Sequence, residues 1–588
     1  MSNISKKHRE DLLDKIQQIR TFIASAPQDA NTNNLLQYLD ELTKDVKGKK
    51  YGLVFEQHRE QIDEILDTHT PVLTDQKDLF IDNGGEMNFL IEGDNLAALQ
   101  LLEKTHKGKI DVIYIDPPYN TGNDDFLYED DYVSREDSFR HSKWISFINS
   151  RLRIAKSLLR ANGLIFISID DNEQASLKFI CDSILGEENF IAMLVIETGE
   201  AYGTKVAHKE KTIFKVKDYV YVYQNGNNGN YKRNPLYDAS KNLFDTHYTM
   251  YVENNKINNL TNYLRGNKTI SDLFKKENLE ISKDNIPVLM ERNDTFKQFI
   301  YDNADNIFKD QQLTIKIPRD IDMAFKNNEI VEYNGYRIIK TGGGNYRHLR
   351  SYKDTLHKTD DYISVYAPAT VRGDLWKSFV KDMGNVAKEG SCDFKNGKKP
   401  IRLILQLIKW ANFRDGFVLD FFAGSGTTGH AVMKLNSEDG GHRKFILCTN
   451  NENNICRDVT YERLKTVITG KRKDGSEYNE HYDASLKYYK IDFVPISDKL
   501  YYEYADKLLL HIRELVELEN GINFNGNNDI AIVLTDEEME QFVAYDNQAK
   551  VLYRGHDVLL TAEQENYIKA NGIKVNVIPD YYYNELNR

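Results

Sequence analysis

The chain has 588 residues, 40% of them apolar and 28% charged, a globular composition that excludes wholesale disorder and gives a prior of about four domain-sized units. No apolar run approaches the roughly 18 residues of a spanning helix, the N-terminus lacks the apolar core of a signal peptide, and Cys181, Cys392, Cys448 and Cys456 show no C-x-x-C pairing; the expectation is a cytoplasmic protein without membrane contact or structural zinc. The net charge of -13 argues against a nucleic-acid partner until it is resolved along the chain: residues 1–85 carry -4, residues 496–588 carry -9 and residues 201–400 carry +8, so a basic segment lies between acidic ends.

In chain order, Leu12, Ile16, Ile19 and Ile23, then Leu35, Leu39, Leu42 and Val46, recur at helical spacing. They predict an N-terminal helical region whose apolar faces serve either as a packed hairpin or as a dimer or partner surface. From residue 88 apolar runs alternate with helical stretches. Asn88 to Glu92 is a run ending in Gly93-Asp94-Asn95, Ile110 to Ile115 is a second, and Gly163 to Ile169 is a third. Buried runs separated by helices predict a parallel α/β sheet. Lys217 to Tyr223 alternates like a strand, and the turn-rich Asn225 to Asn230 predicts a boundary. The rhythm is then lost and returns near residue 394. There a helix (Ile401 to Trp410), a strand (Phe417 to Phe421), a glycine loop, a helix (Thr427 to Leu435) and a strand (Phe445 to Thr449) follow one another. After Pro495 an acidic region with a helix over Tyr501 to Leu518 and strands near Ile530 to Leu534 and Ile573 to Ile578 predicts a small separate α/β module.

Two motifs carry chemistry. Asp116-Pro117-Pro118-Tyr119-Asn120 ends the second run, at the strand edge where open parallel sheets bind ligands. An exocyclic amine of a nucleobase is a poor nucleophile because its lone pair is delocalised into the ring. A carboxylate (Asp116) and a carbonyl held in the stiff Pro117-Pro118 frame can accept its two N–H groups. Tyr119 can stack on a base turned out of the duplex, and Asn120 can fix the loop or reach DNA. A simple turn with a packing tyrosine is the plainer alternative. The second motif runs from Val418 through Asp420, Phe422, Ala423, Gly424 and Gly426 to Thr427-Thr428. Its glycines admit close backbone approach, and Asp420 can neutralise a ligand ammonium. It has neither the third glycine of a dinucleotide fingerprint nor the G-K-[ST] of a phosphate loop, so it suits a cofactor with an amino-acid end.

In this order the two motifs resemble the catalytic and cofactor signatures of S-adenosylmethionine-dependent DNA amino-methyltransferases of the beta class. The resemblance is closest to the modification (Mod) subunits of type III restriction–modification systems. Tyr51 to Phe55, Ile91 to Leu96, Asp116 to Gly122, Phe394 to Pro400 and Phe421 to Val432 support it. The resemblance covers roughly residues 50–225 and 390–495 and implies an adenine-N6 DNA methyltransferase. Asp116, Pro117, Pro118 and Tyr119 would hold the target base. Asp94 would read the cofactor's adenine, and Lys399, Pro400, Asp420, Phe422, Ala423, Gly424, Gly426, Thr427 and Thr428 would line its methionine end. Glu452 would take the ribose, although Asn450-Asn451-Glu452 departs from the usual pattern. No metal is implied.

The expected fold class is α/β: a Rossmann-like S-adenosylmethionine-dependent methyltransferase sheet with an inserted target-recognition domain, a helical N-terminal region and a small C-terminal α/β module. The boundaries are a helical region 1–85, a catalytic half 86–225, a recognition insert 226–388, a cofactor half 389–495 and an acidic module 496–588. The basic insert predicts contacts to double-stranded DNA; Asn120, Lys205, Lys209, Lys211, Tyr346, Arg347 and Arg350 are the candidates, with Lys215, Lys217 and Lys353 beside them, each alternatively a solvated or packed surface residue. By resemblance a homodimer is expected. The absence of an ATPase motif leaves any cleavage to a separate restriction (ATPase/nuclease) subunit. Cytosine-N4 methylation, with the same geometry but usually Ser where Asp116 stands, is the alternative, beside an orphan enzyme and a complex-dependent DNA-binding subunit.

Overall fold

The structure is a computed structural model that describes all residues except 1–3, 26–31, 48–54, 123–126, 129–130, 201–209, 212, 227–231, 319–320, 322–324, 326–329, 393, 395–396, 497–500, 526, 546–547 and 584–588. Its centre is a ten-stranded sheet built from β1 (His69–Asp75), β2 (Glu86–Glu92), β3 (Ile110–Ile115), β4 (Leu159–Ile169), β5 (Phe190–Glu197), β6 (Lys217–Gln224), β7 (Leu375–Trp376), β8 (Asp415–Asp420), β9 (His442–Thr449) and β10 (Ala484–Pro495). The spatial order is β1-β10-β2-β9-β8-β3-β4-β6-β5-β7. The strands from β10 to β4 run parallel; β1 is antiparallel to β10, and β6 is antiparallel to both β4 and β5.

The apolar runs form strands because both faces are covered. In β3, Ile113 and Ile115 enter one core and Val112 and Tyr114 the other, the period of two expected of a pleated strand; a shift in register between Ile110 and Val112 turns Ile110 into the first core as well. The first core is roofed by α1 (Asn95–His106), α2 (Arg140–Leu158) and α3 (Gln174–Leu185), and the second by α4 (Ile401–Ala411), α5 (Thr427–Asp439) and α6 (Glu462–Thr469). The two sequence blocks thus form one α/β layer stack.

Between β6 and β7 the chain builds a six-stranded antiparallel sheet from Met250–Glu253, Lys256–Asn259, Ile307–Gln312, Val331–Tyr333, Tyr336–Lys340 and Tyr346–Ser351. Four short helices spanning Leu260 to Asp302 bring their own core, including Leu264, Phe274, Ile286, Leu289, Phe296 and Ile300.

Three expectations are corrected. The region 1–85 is not wholly helical: after helices Ile4–Ser25, Thr32–Lys47 and Gln61–Thr68, β1 joins the central sheet and buries Val72 and Leu73. The insert does not extend to 388, because β7 pairs with β5, and Trp376 and Phe379 enter the central core. The C-terminal region is not separate. The expected helix breaks into Tyr501–Leu509 and Ile512–Asn520, and Leu508, Leu515, Val516, Tyr553 and Ile578 belong to the first core. Glu519 seals that contact by accepting bonds from Lys109 (2.9 Å), Tyr553 (3.1 Å), Tyr581 (3.0 Å) and Tyr582 (2.6 Å). A buried carboxylate needs such donors to offset lost hydration. Behind it, the parallel strands Ile530–Val533, Val551–Gly555 and Lys574–Ile578 share a second small core with two helices. No helix among the described residues is long and apolar enough to cross a membrane.

Candidate active site

β3 and β8 are parallel neighbours, with Val112 opposite Val418 and Ile113 opposite Leu419. The strand following β3 in the chain lies on one side and the strand following β8 on the other. This is a topological switch point, where the loops at the carboxyl ends diverge and leave a crevice. Both motifs end there. A cavity of about 960 Å³ opens between them, lined by Gly93, Asp94, Asp116, Pro117, Pro118, Tyr119, Phe394, Gly397, Lys399, Asp420, Phe422, Ala423, Gly424, Thr427, Thr428, Asn450 and Glu452, among others.

The Asp116 loop is held from several directions. The Tyr119 hydroxyl donates to Asp116 Oδ1 at 2.9 Å, and the Lys399 ammonium lies 3.0 Å from Asp116 Oδ2 and 4.7 Å from the Tyr119 ring centroid. Trp144 Nε1 donates to the Pro118 carbonyl at 2.7 Å. Pro117 lines the cavity beside Asp116 and Tyr119. Burial pushes the Asp116 carboxyl above the usual carboxylate range, opposed by Lys399 and by the Tyr119 hydrogen bond. Burial likewise pushes the Tyr119 phenol well up.

Asp420, the last residue of β8, is buried. Its Oδ1 accepts from Phe422 N at 2.9 Å and its Oδ2 from Thr428 Oγ1 at 2.5 Å. Burial pushes it up to about 7 despite those bonds. Gly424 has φ 46 and nothing nearer than 3.8 Å to a Cβ built on it, so the loop presents bare backbone to the cavity. Thr427 is anchored by Arg463, whose guanidinium is fully buried and donates to Thr427 Oγ1 at 2.7 Å. Asp94 Oδ1 caps α1 by accepting from Leu96 N at 2.7 Å, and its other oxygen is 3.6 Å from Arg151. Glu452 is exposed at the far rim and accepts from Asn450 Nδ2 at 2.6 Å.

The lining joins acids (Asp94, Asp420, Glu452) to aromatic rings (Phe394, Phe422, Phe493) around bare loop backbone. That donor set fits a ligand with an ammonium, hydroxyls and a flat ring, which is the chemistry of S-adenosylmethionine; it lacks the basic cradle of a pyrophosphate site. The volume falls within the range of small-ligand pockets. Among the described residues no group of three or more His, Cys, Asp or Glu is arranged to hold a metal.

Several assigned residues lie elsewhere. Pro400 is buried outside the lining and precedes α4. Gly426, at φ 73, starts α5 and packs on Thr460, whose Cγ2 would be 3.1 Å from a Cβ. Asn120 does not face DNA: it is fully buried at φ 55 and donates to Glu173 Oε1 at 2.6 Å and to the Arg140 carbonyl at 3.2 Å, so it fixes the loop from behind. Lys205 and Lys209 lie outside the described residues, and Lys211 is exposed. Lys215 and Lys217 are not free cations, since they pair with Asp170 and Asp171 at 2.9 and 2.7 Å. Lys353 is 3.7 Å from Asp305. Arg347 and Arg350 do not form one cluster: three residues apart on one strand, they point to opposite faces, and Arg347 is tied to Asp310 at 2.7 Å. Tyr346 packs at 5.3 Å from the Phe325 ring.

Sequence reasoning missed the supports. Arg151, 1% exposed, forks onto Glu60 at 2.6 and 3.0 Å and reaches Asn95 at 2.5 Å, and Asn95 in turn donates to the Phe421 carbonyl at 2.9 Å. Phe147 stands 5.7 Å from Phe422. The amphipathic pattern of α2 marks it as a helix but says nothing of partners 56 and 91 residues away.

The family model described as DNA methylase matches residues 110–461, which span both motifs and the insert between them. The chain belongs to the DNA methylase family. Among its relatives, this methylase is 31% identical to the probable type III restriction-modification enzyme HindVI Mod subunit of Haemophilus influenzae, over 66% of this chain and 51% of that protein. It is 30% identical to the type III restriction-modification enzyme StyLTI Mod subunit of Salmonella typhimurium, over 70% of this chain and 61% of that protein. The chain therefore spans between about half and three-fifths of the length of these relatives. Among solved structures, the PvuII DNA methyltransferase (cytosine-N4-specific) matches 66% of the methylase chain and 94% of its own, at 10% identity and a TM-score of 0.30.

Proposed function

We propose that this chain transfers a methyl group from S-adenosylmethionine to adenine N6 in double-stranded DNA, as the modification subunit of a type III restriction–modification system. One observation carries the reading: the Asp116 and Asp420 loops, about 300 residues apart, open on one cavity at the switch point of the sheet. Similarity to two Mod subunits supports the type III assignment.

S-adenosylmethionine, when bound, supplies a methyl group made electrophilic by a sulfonium. Asp420 and the backbone from Ala423 to Gly424 bind its amino-acid end. Asp94, Thr449 and Glu452, which also line the cavity, would take its ribose and base. Tyr119 stacks on an adenine flipped from the duplex. Asp116 and the Pro117 carbonyl accept the two N6 hydrogens, which orients the nitrogen lone pair toward the methyl. As N6 gains the methyl it becomes cationic, and the ionised Asp116 stabilises that charge and takes the departing proton to solvent. Positioning and preorganised charge supply most of the rate.

Residues 226–374 read the target, an assignment supported by their own sheet and their position between the two halves of the methylase domain. Two copies act together, and the exposed Phe22, Tyr38 and Leu42 of the N-terminal helices are the proposed contact. A separate restriction subunit cleaves, and the protein works in the cytoplasm. The test is nucleoside analysis of DNA incubated with the purified chain and methyl-labelled cofactor. N6-methyladenine absent with Asp116→Ala supports the reading; N4-methylcytosine replaces it with the cytosine alternative.

A further inference from the structure

Lys399 stands where the mechanism above needs an empty acceptor. Its ammonium is 3.0 Å from Asp116 Oδ2, and it crosses the Tyr119 ring at 4.7 Å, the face on which the target base stacks. A target amine and the Lys399 ammonium therefore compete for the same carboxylate oxygen.

The backbone of Lys399 is fixed, while its side chain has four rotatable carbons between that backbone and the ammonium. Thr427 Oγ1 donates to the Lys399 carbonyl at 3.4 Å, tying it to the start of α5. Lys398, one residue earlier, buries its ammonium on the Glu389 carbonyl at 2.6 Å, and Glu389 Oε2 accepts from Ile401 N at 3.2 Å. Lys399 thus leaves the main chain beside the glycine loop and ends at Asp116, bridging the two halves of the cavity. Lys215 does not share this position: it lies 5.9 Å from the Tyr119 ring and is held by Asp170 and Asp218 at 2.9 and 3.0 Å.

We infer that Lys399 is a positioning residue that gates the Asp116 carboxylate: it occupies Oδ2 in the empty site and yields that oxygen to the target amine when an anionic group, the carboxylate of the bound cofactor, draws its ammonium toward the glycine loop. This rests on the proposed methyl transfer. It makes cofactor binding a condition for productive seating of the base. In the empty site it also favours the ionised form of Asp116 against the effect of burial. Among the described residues, Lys399 is the cation that pairs with that carboxylate, and Tyr119, Tyr114, Asp218 and Asp420 also act on it.

The test is the pH dependence of kcat/KM for the cofactor, which reports groups of the cofactor-free enzyme, measured on the full chain between pH 5 and 9, each profile normalised to its plateau, with cofactor affinity measured separately by calorimetry. Lys399→Met should raise the midpoint of the acid limb by about one pH unit, because loss of an adjacent cation raises a carboxyl pKa, and should weaken cofactor binding about tenfold. Lys399→Arg should restore the limb, and Lys399→Gln, which keeps a polar side chain, should not. A limb that stays in place in Lys399→Met and Lys399→Gln overturns the inference, whether or not cofactor affinity falls. The underlying methyl-transfer reading fails differently: Asp116→Ala would then methylate as well as the wild type.

Discussion

The central sheet and the insert between β6 and β7 carry their charges in different ways. At the sheet's switch point the chain buries Asp420 and half-buries Asp116 against apolar strands and holds them in place with Lys399, Tyr119 and Thr428. In the insert the charges sit at the surface in pairs, such as Lys309 with Asp245 and Arg347 with Asp310. Burial makes each charge at the sheet costly, so its residue type and place are tightly constrained. Surface pairs are worth little and can be rearranged, which leaves the insert's surface free to vary.

This contrast can be broken or sharpened experimentally, and the largest effect should come from the Asp116 loop. Asp116→Ala should lower the single-turnover rate by about 10²–10⁴-fold, the usual worth of a positioned acid–base or charge-stabilising group, while calorimetric cofactor affinity changes little. Next comes Arg463, buried behind the glycine loop. Arg463→Met should cost about 3–5 kcal/mol in denaturant unfolding, since it strands Glu389 and Thr427 without their cation, and should weaken cofactor binding.

Asp420 supplies the pH test. Its folded carboxyl titrates near 7, above its unfolded value of 3.8. The folded state therefore binds the extra proton between those values. Its contribution to stability is fully present below about pH 4 and is lost as pH rises through 7. Thermal melts of the wild type relative to Asp420→Asn should show that slope. A cofactor ammonium needs the ionised form, so affinity should fall below about pH 7 in the wild type and lose that dependence in Asp420→Asn. The smallest effect belongs to the insert. Arg350→Ala should weaken DNA binding several-fold and reduce the salt slope by about 1, whereas Arg347→Ala, already paired with Asp310, should change it less. Equal and large effects of both would place Arg347 on the DNA.

What was legible follows the same division. The six buried residues of β3 and the run before Gly424 could be read because a doubly covered strand must be apolar throughout. β1 was missed: only Val72 and Leu73 interrupt a polar stretch with Pro71, and pairing with β10, more than 400 residues away, makes it a strand. β7 has two residues, too few for any period. Within the site, the lining residues of both motifs were legible from residue type and loop position. For Asn120 the sequence left two roles open, fixing the loop or reaching DNA, and only the fold, with Glu173 and Arg140 behind it, favours the first. The Trp144 bond to Pro118 and the Arg151 fork onto Glu60 join helices to loops by contacts that leave no spacing in the sequence.

The central claim is that two distant loops form one methylating site, and single-molecule sequencing of host DNA tests it most directly. The chain would be expressed as wild type, Asp116→Ala and Asp420→Ala. The account predicts N6-methyladenine at one asymmetric motif with the wild type and none with either variant. Unmodified DNA from a wild-type chain that binds the cofactor, or modification that survives in Asp116→Ala, would contradict it.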